Sequence, residues 1–248
     1  METKELLQEL YAIPHLDLGI TFDANRLLRE YNALGDIMRP YSTKYAPVDE
    51  VYKRSWFGVS LYSPDGSLYN DLTEGETAVI CKKTPALDRC PYMAEVIKSL
   101  FAEDCRSRIM QIKPHGQLAW HSHVFDNNQP LYSLTVHVPI VMPDTFRYSV
   151  INIEDYRFAD IDKNPLKVYN SKYDVGRAML FNSIHVHNVF NDDDSLTRTS
   201  LMIYLDLRLP KVRELIEYAV WRHNDMGLEK MPVKMNIADQ LNYKKPGK

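Results

Sequence analysis

Apolar residues recur at two different spacings along this chain, and the change falls near residue 104. Before it, Glu2 to Tyr11 reads as a short amphipathic helix. A second helix is predicted after Asp23, an N-cap residue type, with Leu27, Leu28, Tyr31 and Leu34 at helical spacing and Pro40 closing the region. Trp56 to Tyr62 has strand character and runs into the turn signal Pro64-Asp-Gly66. Tyr69 to Lys83 shows no clear period, and Pro91 to Phe101 predicts a helix with Pro91 in its first turn.

After Asp104 the pattern changes to short β runs over 108–112, 117–124, 131–142, 146–153, 167–169, 177–181, 186–191 and 199–207. Turn-formers separate them: Pro114-His-Gly116, Asp126-Asn-Asn128, Pro143-Asp144 and Asp192-Asp-Asp194. Short strands so spaced predict a mainly β protein with flanking helices, an antiparallel sandwich or barrel of the jelly-roll kind. A helix carrying Val212, Leu215, Ile216, Ala219 and Val220 follows Pro210, and the tail from Asn224 is polar. With no internal repeat and no low-complexity linker, the expectation is one domain over 1–248. It comprises a helix-and-strand part (1–104), a jelly-roll core (105–209) and a C-terminal helix and tail (210–248).

Composition narrows the partners. The chain has 248 residues, 45% hydrophobic and 25% charged, within the range of a globular domain with a sizeable core. A net charge of −3 gives no reason to expect nucleic acid or an anionic membrane as partner. No apolar run is long enough to span a bilayer, and the charged start, Met1-Glu-Thr-Lys-Glu, is not a signal peptide. Three cysteines, Cys81, Cys90 and Cys105, form no CxxC and argue against a disulfide scaffold, so a reduced cytoplasmic setting is expected. Oligomeric state leaves no signal.

Six of the eight histidines lie between His115 and His187. Two pairs share the form His-x-His: His121 with His123, and His185 with His187. Residues two apart on a strand point to one face. A barrel that brings the two segments face to face would converge imidazoles on one point, as a transition-metal site requires. A lone histidine is more often structural, and His115 and His223 are read that way. His121 and His187 are the leading ligand candidates, and His123 is a third. Further on, Arg198 and Ser200 open the last strand on one face. An arginine entering a barrel is costly to bury unless an anion meets it, and its planar fork suits a carboxylate. The bland reading is a surface arginine at a strand end.

The order metal-His, about sixty residues, metal-His, about ten residues, Arg-x-Ser resembles the Fe(II)/2-oxoglutarate-dependent oxygenases, which implies a double-stranded β-helix, the jelly-roll or cupin-like barrel. Several stretches are similar to one branch, the aspartyl/asparaginyl β-hydroxylase-like family, which includes free amino-acid hydroxylases. They are Trp56-Phe-Gly-Val-Ser-Leu with Ser63-Pro-Asp-Gly66, Thr84 to Pro91, Arg108-Ile-Met-Gln-Ile-Lys-Pro-His-Gly116, Val136-His-Val-Pro-Ile-Val141, and Gly176 through Phe181-Asn182 to His187. The similarity runs from about Trp56 to Leu207. It implies His121 and His187 as Fe(II) ligands, Arg198 with Ser200 as the anchor for the far carboxylate of 2-oxoglutarate, and His137 beside that cosubstrate. The implied reaction consumes O2, converts 2-oxoglutarate to succinate and CO2, and hydroxylates an unactivated C–H bond of an amino acid or peptide-like substrate. Arg106, Arg108, Arg147, Trp120, Asp126 and Tyr132 are candidate substrate contacts, each with an ordinary structural role also open to it.

The chain departs from the family pattern in three places. His123 stands where most members carry Asp or Glu, and it either completes a three-histidine face or points elsewhere. Thr135 stands where many carry arginine, and the stretch between His187 and Arg198 is about one residue longer. A rival pattern pairs Gly116-x4-His-x-His with Gly176 and His187-x3-Asn191, resembling the two cupin motifs without their glutamate; Asp126 is the nearest acid. It leaves open a three-histidine dioxygenase that uses no 2-oxoglutarate, or a barrel that binds a metal or ligand without turnover. A halogenase is a further variant, since a lost carboxylate ligand can free a position for chloride.

Overall fold

The computed structural model describes residues 2–40, 55–69, 80–123, 131–158 and 166–237. Among them lie twelve strands in two antiparallel sheets. Strands β1 (His15–Thr21), β2 (Arg39–Pro40), β3 (Trp56–Ser63), β4 (Lys82–Lys83), β5 (Ser107–Ile112), β7 (Ser133–Val141), β10 (Arg177–Phe181) and β12 (Arg198–Asp206) form the larger sheet. Its order is β1-β10-β7-β12-β5-β3-β2, with β4 also paired to β3. The smaller sheet has the order β6-β11-β8-β9, from β6 (Gln117–His121), β8 (Arg147–Ile151), β9 (Val168–Ser171) and β11 (Val186–Phe190). The jelly-roll expectation is met.

The helices are α1 (Thr3–Tyr11), α2 (Ala24–Ala33), α3 (Pro91–Ser99), α4 (Ile153–Phe158) and α5 (Pro210–Asp225). As its residue type indicated, Asp23 caps α2, its Oδ1 accepting from Arg26 N at 3.0 Å. At α3 the first free N–H groups donate to Glu30 of α2, from Tyr92 N at 2.6 Å and Met93 N at 2.9 Å. A carboxylate there also complements the helix dipole.

Alternation along the central strands separates two cores. Val136, Val138 and Ile140 of β7 and Leu201, Ile203 and Leu205 of β12 face outward, where Leu6, Leu27, Ile97 and Ile216 of the helices cover them. The residues between, including Thr135, His137, Arg198 and Ser200, face the smaller sheet. There a second, aromatic core of Phe146, Tyr148, Tyr173 and Phe181 fills the space between the sheets.

Sequence periodicity missed β1, α4 and the short β2 and β4. β1 joins the edge of the larger sheet against β10, with a break in register between Asp17 and Thr21. The ion pair of Asp17 with Arg177 holds it there. Gly176, just before β10, has φ +78°, and a Cβ there would lie 2.4 Å from the Phe22 carbonyl oxygen, so only glycine fits. Most of the ambiguous segment after Tyr69, the turn Asp126-Asn-Asn128 and the end of the C-terminal tail lie outside the described residues.

Candidate functional site

β6 and β11 are neighbours, and His121 stands directly opposite His187 across them. The two histidines are therefore side by side on one sheet, not face to face across the barrel. The turn Pro114-His-Gly116 carries the chain from the larger sheet into the smaller one, which places β6 beside β11. Their ring centroids are 4.3 Å apart.

β6 stops at His121, so strand alternation does not by itself place His123. A turn does. Ser122 is buried and its Oγ donates to the Ile184 carbonyl at 2.8 Å, while His123 N donates to the Ser183 carbonyl at 2.9 Å. The turn returns the His123 ring to the pair, 5.2 Å from His121 and 4.7 Å from His187. One ring nitrogen from each of the three lies within 4.8 Å of the others, and they form the convergent metal-ligand set among the described residues.

The electronic state of His187 suits a ligand. Its Nδ1 lies 2.9 Å from the His185 carbonyl, which can only accept, so Nδ1 carries the hydrogen and Nε2 presents a lone pair. Burial, then the nearby His121 and His123, push its pKa well below the ordinary value and keep it neutral, as metal ligation requires. His121 and His123 are half-buried and His187 is buried, so the cluster opens on the side of the first two.

The second His-x-His pair divides. β11 begins at Val186, so His185 precedes the strand and does not share a face with His187. It stacks on Tyr11 of α1 with centroids 4.5 Å apart, its Nε2 lies 2.7 Å from the Tyr11 carbonyl, and its Nδ1 accepts from Ile153 N at 3.0 Å. It fastens α1 and α4 to the barrel.

Deeper between the sheets, Arg198 is only 1% exposed. Its Nη2 donates to His137 Nδ1 at 3.0 Å and to the Tyr148 hydroxyl. Its guanidinium carbon lies 5.2 Å from the ring centres of both Phe146 and Tyr148. No carboxylate among the described residues pairs with it, and its Nε–H has no partner there. Because arginine cannot accept, His137 Nδ1 must hold a lone pair, which leaves Nε2–H as a donor. Burial, Arg198 and His123 hold His137 neutral. Ser200 follows on the same face, wholly buried and within hydrogen-bonding reach of Tyr148.

Residues that sequence patterning did not single out complete this pocket. Tyr173 stacks on Tyr148 at 4.0 Å, and its hydroxyl lies 2.8 Å from His15 Nδ1. His15 Nε2 lies 3.1 Å from the Tyr169 carbonyl and must donate to it, so Nδ1 accepts from Tyr173. Tyr148, Tyr173 and His15 come from three separate segments, and no local spacing links them. Tyr148 lay on a predicted strand, whereas His15 and Tyr173 lay on none and carried no local signal.

Other sequence candidates fall elsewhere. Trp120 is exposed, Arg147 Nη1 donates to the Phe146 carbonyl at 2.7 Å, and Arg208 lies over the Tyr132 ring at 3.9 Å. His115 is at the surface 3.2 Å from Asp194, and His223 Nε2 lies 3.2 Å from the Glu229 carbonyl, both structural as read. Asn191, part of the cupin-like pattern, donates to the Ile112 and Leu196 carbonyls at 3.0 and 2.9 Å and stays outside the cluster. Asp126 lies outside the described residues. Arg106 and Arg108 are buried and on the inner face.

Convergent imidazoles, and a buried guanidinium with no carboxylate beside it among the described residues, are arranged on a jelly roll of two antiparallel sheets in a way that could hold a metal and an anion. The sequence profile of the aspartyl/asparaginyl β-hydroxylases matches residues 21–207, and the chain belongs to that family. It is accordingly a 2-oxoglutarate-dependent oxygenase using Fe(II) and O2. No curated protein sequence matches it. Among solved structures it is similar to the 2-oxoglutarate-dependent carbocyclase SnoK from nogalamycin biosynthesis (TM-score 0.50, 12% identity, covering 83% of this chain and 84% of that one). It is also similar to a 2OG-Fe(II) oxygenase family oxidoreductase from Burkholderia pseudomallei (TM-score 0.47, 14% identity, 82% and 89% covered). A third is a prolyl-4-hydroxylase from Pseudomonas putida (TM-score 0.44, 11% identity, 82% and 97% covered).

Proposed function

We propose that His121, His187 and His123 hold the Fe(II), that Arg198, Ser200 and His137 hold the far carboxylate of 2-oxoglutarate, and that the protein hydroxylates an amino acid or peptide-like substrate. The observation that carries this reading is Arg198, a fully buried guanidinium with an unpartnered Nε–H and no carboxylate beside it among the described residues. A buried charge of this kind costs several kcal/mol unless an anion meets it.

When bound, Fe(II) and 2-oxoglutarate supply oxidation of an unactivated C–H bond by O2, with succinate and CO2 as by-products. The protein binds, orients and excludes water. His187 Nδ1–H is fixed on the His185 carbonyl, which points Nε2 at the metal position. The stacked pair Tyr148–Tyr173, held by His15, keeps Arg198 extended into the pocket. His137 keeps Nε2–H available to donate. With His123 as third ligand no extra position opens for chloride, which favours hydroxylation over halogenation. The three-histidine cupin and non-catalytic readings leave Arg198 without a task.

The reading extends to 1–248 acting as one oxygenase domain. A cytoplasmic location is in keeping with three cysteines in the free thiol form and with no helix of the described residues being long and apolar enough to cross a membrane.

Purified protein given Fe(II) and 2-oxoglutarate without oxygen should show the weak visible charge-transfer band of the chelate; iron bound with no band would sink the proposal. Titrated by that band, Arg198→Ala should weaken 2-oxoglutarate binding by about 2–5 kcal/mol, the scale for a buried charge pair losing one partner.

A further inference from the structure

The C-terminal helix α5 turns to solvent one face that the described residues leave uncovered. Val212, Ile216, Ala219, Val220 and His223 are buried on its inner side, where α5 meets β1 and α1. On the opposite side Tyr218 and Trp221 are both 58% exposed, and their rings stack with centroids 5.9 Å apart. Leu215, half-buried, precedes Tyr218 by one turn. Residues three and four apart lie on one side of a helix, so Lys211, Glu214, Arg222 and Asp225 flank the two aromatics on this same face. The solvent face of a helix ordinarily carries polar and charged residues, and adjacent exposed aromatics there mark a contact surface.

The four charges are an independent observation. Among the described residues none of Lys211, Glu214, Arg222 and Asp225 forms an ion pair, whereas Arg213 and Glu217, to one side of this face, meet at 3.9 Å. The Lys211 ammonium lies 5.4 Å from the ring centre of Phe101, itself at the surface. Arg222 fills with its guanidinium the space that a Cβ on Gly19 of β1 would take, and the carboxylate nearby, Asp17, is paired with Arg177. All four therefore keep capacity for a charge from outside.

Their order is self-complementary. A twofold axis at Tyr218, perpendicular to the helix, sets each residue of one copy level with the residue equally far from Tyr218, in the opposite direction, in the other copy. Lys211 then meets Asp225, Glu214 meets Arg222, Leu215 meets Trp221, and the two Tyr218 rings meet at the axis. Every layer joins opposite charges or apolar groups. Parallel helices about a twofold axis would set each charge against its own copy. An axis between Ala219 and Val220 would set Glu214 level with Asp225, and one between Ile216 and Glu217 would set Lys211 level with Arg222. Like charges so placed are penalised, so the pattern specifies both direction and register.

We propose that α5 is a homodimer surface, on which a second copy of this chain lays the same helix antiparallel with Tyr218 at the twofold axis. Tyr218 and Trp221 supply the centre of the contact, residue types that concentrate binding energy. The Lys211–Asp225 and Glu214–Arg222 pairs fix its direction and register. A helix of 16 residues is about 24 Å long, so the contact falls at the small end of specific interfaces and the dimer exchanges with monomer at micromolar concentrations. The surface uses none of the residues assigned to iron or 2-oxoglutarate.

The test measures the mass of the full chain by sedimentation equilibrium from about 1 μM to about 500 μM. The wild type should pass from 28.9 kDa toward twice that mass. Trp221→Ser should weaken dimerisation at least about tenfold, with an unchanged helical circular-dichroism signal because the side chain is exposed. Lys211→Asp and Asp225→Lys should each weaken it too, since either change sets like charges together on both sides of the axis. An equal mixture of those two variants should recover dimerisation, because every layer of the mixed dimer is complementary again. A monomer throughout the range would overturn the proposal and leave this face to a different partner. A dimer insensitive to Trp221→Ser would place the contact on another surface, and a mixture that stays monomeric would overturn the antiparallel pairing at Tyr218.

Discussion

His123 has the largest consequence of any single residue here. It occupies the position where most family members supply a carboxylate, yet its ring lies as close to His187 as a shared ion requires. An imidazole in place of a carboxylate would leave one negative charge fewer around an ion held by the cluster. His123→Ala should lower Fe(II) affinity beyond the 10–100-fold typical of removing an outer-shell partner; unaltered affinity in an anaerobic titration would place His123 outside the ligand set. His15 acts at a distance, by fixing Tyr173. Burial lowers its pKa to about 4 from its ordinary 6.5, so the unfolded chain takes up the proton first as pH falls. Its contribution is complete above pH 6.5 and is lost between 6.5 and 4, on the order of 3 kcal/mol. Denaturation of wild type and His15→Gln at pH 7 and pH 4.5 should show a smaller loss of stability in the variant.

The link between β10 and β11 joins the histidine cluster to the helical layer. Asn182 Nδ2 donates to the carbonyls of Leu10 and Ile13, both at 2.8 Å, which closes the C-terminal end of α1 onto the barrel. The next residues, Ser183 and Ile184, offer the carbonyls that hold the His123 turn. Asn182→Ala strands two buried acceptors and should cost about 2–3 kcal/mol, read as a lower urea midpoint with an unchanged slope. The element pattern itself was legible because apolar residues alternate on β7 and β12. Its polar interruptions were harder to assign. Alternation alone does not say whether Thr135, His137, Arg108 and Ser200 meet solvent or a second sheet; the structure buries all four on the inner face of the larger sheet. β1 escaped notice because His-Leu-Asp-Leu-Gly-Ile-Thr needs Arg177 and β10 to hold it extended.

For the whole molecule, ligand sites between two sheets make stability depend on occupancy. Fe(II) at 100 times its dissociation constant should add about 2.7 kcal/mol, which for a chain of this size is roughly 5–10 °C in Tm. A chelator should reverse the shift, His121→Ala should abolish it, and Arg198→Ala should retain it. A metal-induced shift retained in His121→Ala would place the ion elsewhere.

The sequence by itself determined the positions of most strands, the jelly-roll class, the family resemblance, and His121, His187 and Arg198 as the residues to watch. Period-two alternation and residue chemistry are local properties, and they survive in a string. Tertiary structure decided what depends on contact between distant segments. It put His121 and His187 on adjacent strands, turned His185 away to Tyr11, and returned His123 to the cluster through a turn that no alternation rule describes. It also assembled Tyr148, Tyr173 and His15 around Arg198, and aligned Arg106, Arg108 and Thr135 on one inner face. Those outcomes follow from sheet register and from the satisfaction of buried donors and acceptors, which are fixed only once the two sheets close on each other.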